Sequence, residues 1–222
     1  MKRWFKIRPS YQIRFNQKGT SKTEKKHLLI ALGVLTLAFA ISFSGGIQGI
    51  TNPAFPLFLG ISFLSVGTAF LFHELAHRKI ARKYGCWAEF RMWTWGLMMA
   101  LIFSTFGFVF AAPGAVMIQG HITKDQNGKI SAAGPFTNWI VGAIFLSISF
   151  ALHLIGYGLL GFIFAFVSFV NLFIGGFNLL PFGPLDGYKI FSWNIQYYFI
   201  LAGLIVGTLA AGYLMGPLSG FL

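Results

Sequence analysis

The charged residues of this chain fall in clusters, and the apolar stretches between the clusters set its plan. No Lys, Arg, Asp or Glu occurs between Lys26 and Glu74, between Arg91 and Lys124, between Lys129 and Asp186, or after Lys189. A helix needs about 20 apolar residues to cross the hydrocarbon core of a bilayer. The first gap holds a short segment, 28–43, and most of a second, 55–80, whose end carries Glu74, Arg78 and Lys79; Gly45-Gly46 and Asn52-Pro53 break the two. The third holds 131–153 and 155–177, broken by Gly156-Tyr157-Gly158, and the last holds 195–214. Ala38-Phe39-Ala40 has the form of a signal-peptide cleavage site. However, the 27 residues before the apolar stretch are long for a leader, and apolar character continues past the site, so a retained first span is expected.

The stretch between Arg91 and Lys124 is harder to place. A single crossing over 97–112 would put Lys124, Lys129 and Lys189 on the far side from the other basic residues. Gly96, Gly107, Pro113 and Gly114 also interrupt it. Broken backbone is tolerated at membrane depth where protein or a cavity covers it. The expectation is therefore a re-entrant or interfacial segment over 87–118. Ala88, Phe90, Met92 and Thr94 alternate with Trp87, Glu89, Arg91 and Trp93, which fits a short β-strand at 86–94; an aromatic belt of Trp87, Trp93 and Trp95 at the headgroups is the other reading. The fold class expected is an all-α polytopic membrane protein of about five transmembrane helices plus this segment.

Composition agrees. Of 222 residues, 56% are hydrophobic and only 10% charged, against about 25% charged in soluble domains, and the mean hydropathy is +0.70. A soluble enzyme and a disordered chain are both excluded. The single cysteine, Cys86, allows no intrachain disulfide and no cysteine-held metal. Net charge is +12. Residues 1–26 carry nine Lys/Arg and one acid, Glu24, and a second cluster, Arg78-Lys79 and Arg82-Lys83, follows two crossings later. Basic residues concentrate on the cytoplasmic side. The partner expected for this charge is the lipid bilayer, with no nucleic acid, and residues 1–27 are read as a basic cytoplasmic segment.

Near the end of the second span the chain reads His73-Glu74-Leu75-Ala76-His77. Residues four apart share one face of a helix, so both imidazoles can bind one Zn²⁺, with Glu74 beside the first of them as a proton acceptor. Only five acids occur in the chain, and one stands here, behind eighteen uncharged residues. Catalytic zinc usually has three protein ligands. Glu24 lies in the basic tail, and Asp125 lies in Lys124-Asp125-Gln126-Asn127-Gly128, which reads as a turn. Asp186 follows the fourth span, where Pro181, Gly183 and Pro184 break the helix and return the chain to the depth of His73 and His77. A solvent-facing Asp-Gly turn is the other reading of the same residues.

Together these residues resemble the site-2 protease family of intramembrane zinc metalloproteases, with HExxH in one span and N-x-x-P…D-G in a later one. The resemblance covers about residues 56–190. It implies one zinc per chain on His73, His77 and Asp186, Glu74 as the catalytic carboxylate, and Asn178 as the residue that holds the substrate backbone or oxyanion. Ala133-Gly134-Pro135 and Asn138 look like the family's A-G-P-x-x-N. The implied activity is cleavage of single-span transmembrane protein substrates by a membrane-embedded metalloprotease domain over 28–222. The site would lie near the cytoplasmic side of a prokaryotic plasma membrane, and an unwound substrate would add to a strand edge at 86–94. Two features depart from the family: residues 92–123 are longer and more apolar than a short sheet, and no PDZ or CBS domain fits this length. Gly203, Gly207 and Ala211 form a small-residue face for internal packing or a homo-oligomer. A metal-ion transporter using the same His/Glu/Asp cluster is the alternative. Transporters often show paired broken helices, and only one broken helix is visible here.

Overall fold

The computed structural model describes residues 19–218; most of the basic segment at 1–27 therefore lies outside the described residues. Helix α1 spans Lys22–Phe43, α2 Phe55–Val66, α3 Phe72–Lys83, α4 Thr94–Ser104, α5 Lys124–Leu154, α6 Gly158–Asn178, α7 Asp186–Trp193 and α8 Ile195–Leu214. Strands β1, Trp87–Met92, and β2, Gly114–Gln119, pair antiparallel. Helices α2 and α3 run on through a π-helical segment, Gly67–Leu71, so among the described residues five helical stretches are long and apolar enough to cross a membrane.

Local signals set the helix starts. Ser21 caps α1 by accepting the Glu24 N–H at 3.1 Å, so α1 begins before the expected span. The polar run at Lys124–Gly128 is the first turn of α5 rather than a free turn. Thr123 and Gln126 form a capping box, and Lys129 pairs with Asp125 at 2.8 Å one turn on. Helix α1 stops at Gly45 and Gly46, which hold φ of 99° and 80°, a conformation that favours glycine.

The strand register decides the topology of 92–113. Met92 stands opposite Gly114, so the chain must leave and return to the same end of the molecule, as re-entry requires. Its outward limb is α4, and its tip touches the α1–α2 connection, where Ile47 N–H donates to the Thr105 carbonyl at 3.1 Å.

The strand edges are not equivalent. In an antiparallel pair, residues of a non-hydrogen-bonded pair point their N–H and C=O groups away from the partner. Phe90 N–H donates outward to Glu24 Oε1 at 3.1 Å, the Ala88 carbonyl accepts from Arg82 Nη2 at 2.7 Å, and Met92 N–H donates to His27 Nδ1 at 3.4 Å. The outer edge of β1 is therefore closed by α1 and α3, which corrects the expectation of an open edge at 86–94. Gly114, Val116 and Ile118, opposite Met92, Phe90 and Ala88, direct their backbone groups from the outer edge of β2. Among the described residues no further strand pairs there.

Glu24 is fully buried and pairs with Arg78 at 2.9 Å and Arg82 at 3.4 Å, tying α1, α3 and β1 together. Removing one partner of a buried ion pair typically costs about 3–5 kcal/mol. Glu24→Ala is expected at the low end of that range, because the arginine side chains keep some exposure. The check is the thermal unfolding midpoint of detergent-solubilised protein.

The outer surface carries large apolar side chains, among them Leu29, Phe106 and Leu214, while Thr68, His73, His77, Asn138, Asn171 and Asp186 are buried. This inversion fits a chain whose surroundings are lipid, where buried polar groups must be satisfied within the protein.

Candidate metal centre

The continuous α2–α3 stretch brings His73 and His77 to one face, with ring centroids 4.6 Å apart. Asp186 arrives from the far side of the chain. After α6 ends at Asn178, the Pro181–Pro184 bend turns the chain, and α7 begins on Asp186 itself. Gly187 permits the return, since a Cβ there would strike the Leu179 carbonyl. Asp186 Oδ2 lies 3.2 Å from His73 Nε2 and 3.1 Å from His77 Nε2, with all three residues buried.

The tautomers follow from the partners. His77 Nδ1 faces the Ile130 carbonyl at 2.7 Å, and His73 Nδ1 faces Asn138 Oδ1. Both partners only accept, so each Nδ1 carries the proton and each Nε2 turns a lone pair toward Asp186. Three acceptor atoms then converge with no proton among them, an arrangement that calls for a cation. Two ligands of a tetrahedral zinc at about 2.0–2.1 Å stand about 3.3 Å apart, and the observed separations of 3.1 and 3.2 Å match. Carbonyl and amide partners on the far imidazole nitrogens are the usual outer support of zinc histidines.

Glu74 is half-buried and stands outside the three-donor set. Its carboxylate faces the backbone of Val116 on the outer edge of β2. Lys189 Nζ lies 3.7 Å from Asp186 Oδ1. Helix α5 closes the centre at Gly134, where a Cβ would contact Nε2 of both histidines. Asn178 does not join the cluster; its amide donates to the Ile174 carbonyl of its own helix at 3.0 Å.

The donors His73, His77 and Asp186 were all visible in the sequence. The Val116 edge, Lys189 and Asn171 were not. Gly134 and Asn138 stood in a motif whose role the sequence left open. An asparagine in an apolar span, as at 138 and 171, is the signal that marks such residues, since intramembrane polar groups need partners.

The chain is 41% identical over 197 residues to the provisionally named zinc metalloprotease MJ0611 of Methanocaldococcus jannaschii, covering 87% of this chain and 94% of that protein. It is also 31% identical over 136 residues to zinc metalloprotease MJ0392 of the same organism, covering 60% of this chain and 34% of that protein. No family model and no solved structure matches the chain.

Proposed function

The chain belongs to the zinc metalloprotease family, in a site-2 protease-like form, and we propose that it hydrolyses peptide bonds within or near single-span transmembrane segments of protein substrates. The observation that carries this reading is the buried His73–His77–Asp186 cluster inside a bundle of membrane-length helices. Zinc held there supplies Lewis-acid polarisation of the scissile carbonyl and an acidified water at neutral pH.

The chain's own residues do the rest. Glu74, beside the donors but not among them, accepts the proton of the attacking water and delivers it to the leaving amine. A helical peptide bond has its carbonyl occupied and must unwind before attack. Unwound backbone gains new hydrogen bonds by strand addition, and the outer edge of β2 at Gly114, Val116 and Ile118 offers them next to Glu74. The oxyanion role proposed for Asn178 requires its amide to leave the Ile174 carbonyl when substrate binds.

The basic residues support an orientation with the N-terminus and the metal centre at the cytoplasmic side of a prokaryotic plasma membrane. In a Cys86→Ala background, single cysteines at 22, 80, 126 and 189 are expected to react with an impermeant thiol reagent only from the cytoplasmic face. Reaction of position 126 from the opposite face alone would overturn this orientation.

The test of function is reconstitution of the purified chain in liposomes with a panel of single-span proteins. Expected are fragments cut within or beside the span, lost on chelation and restored by zinc. Zinc uptake into the vesicles without any fragments would overturn the protease reading in favour of transport.

A further inference from the structure

A chain of buried side chains leads away from the metal centre, through three helices, and ends on backbone carbonyls. His73 Nδ1 donates to Asn138 Oδ1 on α5. The two Asn138 Nδ2 protons go to the Ala69 carbonyl at 2.8 Å and to Asn171 Oδ1 on α6 at 3.4 Å. The two Asn171 Nδ2 protons go to Thr68 Oγ1 at 2.9 Å and to the Val167 carbonyl at 2.8 Å. The Thr68 hydroxyl donates to the Leu64 carbonyl at 2.9 Å and the Ser65 carbonyl at 3.0 Å. Thr68 and Ala69 both lie in the π-helical segment that leads into the HExxH helix. Asn138 and Asn171 are fully buried, and Thr68 nearly so.

The direction of every bond in this chain is forced. A carbonyl can only accept, so the Val167 carbonyl fixes which end of Asn171 is the amide nitrogen. That leaves Asn171 Oδ1 to face Asn138. The Ala69 carbonyl and Asn171 Oδ1 together fix the Asn138 nitrogen, leaving Asn138 Oδ1 to face His73. Turning Asn138 over would set its oxygen against the Ala69 carbonyl and an N–H against His73 Nδ1. His73 would then carry its proton on Nε2, where it cannot be a metal ligand.

We propose that Asn171 and Thr68 are positioning residues for the metal: acting through Asn138, they hold His73 in the Nδ1-protonated tautomer whose Nε2 is free to ligate. This rests on zinc being held by His73, His77 and Asp186. The residues touch neither metal nor substrate. Their contribution is to make the wrong tautomer costly, since a buried donor without an acceptor costs about 1–3 kcal/mol.

The experiment is zinc affinity by competitive chelator titration of the full chain in detergent. It is combined with ¹⁵N histidine spectra, which report which ring nitrogen carries the proton, and with thermal midpoints. Asn138→Leu is expected to weaken zinc by about 10–100-fold, the usual cost of losing an outer-sphere partner. Asn171→Leu and the isosteric Thr68→Val, which keeps the helix shape, are expected to weaken it by about 5–10-fold, the worth of one hydrogen bond. Their spectra should gain a His73 population protonated on Nε2. Asn171→Asp, neutral in this apolar setting and able to accept from Asn138 while donating to the Val167 carbonyl, should restore most of the affinity. Lowered thermal midpoints with unchanged zinc affinity and unchanged histidine spectra in Asn171→Leu and Thr68→Val would overturn the proposal. A wild-type chain that holds no zinc would overturn the metal centre itself, and the proposal with it.

Discussion

Glu74→Gln is expected to keep one zinc ion per chain while losing cleavage of a transmembrane substrate by about 10²–10⁴-fold, the usual contribution of a general base. The geometry separates the two effects. The donors are His73, His77 and Asp186, whose mutual distances do not involve position 74. A glutamine there has nearly the shape of glutamate and keeps an oxygen facing the Val116 backbone. What it loses is the capacity to take a proton from water at neutral pH. Zinc content by metal analysis and substrate fragments by gel or mass spectrometry check the two halves independently. Undiminished cleavage would remove Glu74 from the mechanism, and a loss of zinc in parallel with cleavage would make Glu74 part of the binding set. The same pair of measurements separates protease from transporter, because a transporter yields no fragments in either form.

Gly134→Ala is expected to weaken zinc binding by at least about 10–100-fold, on the scale of disturbed ligand support, and to remove activity with it. On helix propensity alone the change would stabilise α5, since alanine is favoured over glycine by about 1 kcal/mol. Here the added Cβ would meet His77 Nε2, His73 Nε2 at 2.6 Å and His77 Cε1 at 2.6 Å. These imidazoles are not loose ends. Each is held by its Nδ1, one on the Ile130 carbonyl and the other on Asn138, so neither ring can retreat without breaking a buried hydrogen bond. The expected signature is a folded protein, with helical content kept, that cannot hold the metal. Wild-type zinc affinity in Gly134→Ala would show that α5 stands farther from the centre than this packing requires.

The spans and the HExxH pair were legible along the chain because both depend on short-range rules. A charge in the bilayer core is costly wherever it stands, so charge gaps mark spans without reference to the rest of the molecule. Two histidines four apart face the same way on any helix. Some local information was present but outweighed by composition: the T-x-x-Q of Thr123 and Gln126 is a capping box, and the polar run behind it reads as a turn only if that signal is passed over.

Tertiary structure decided what depends on residues far apart. His73 and Asp186 are 113 positions from one another, and only the bend after α6 and the close approach at Gly187 turn a solvent-type Asp-Gly pair into a ligand. The Met92–Gly114 register makes the apolar stretch between them return; its hydropathy is the same for a crossing. Side chains of α1 and α3 close the edge of β1, leaving the edge of β2 at Glu74. Alternation along one strand cannot distinguish these, because both edges of any strand carry the same backbone groups until a neighbour takes one of them.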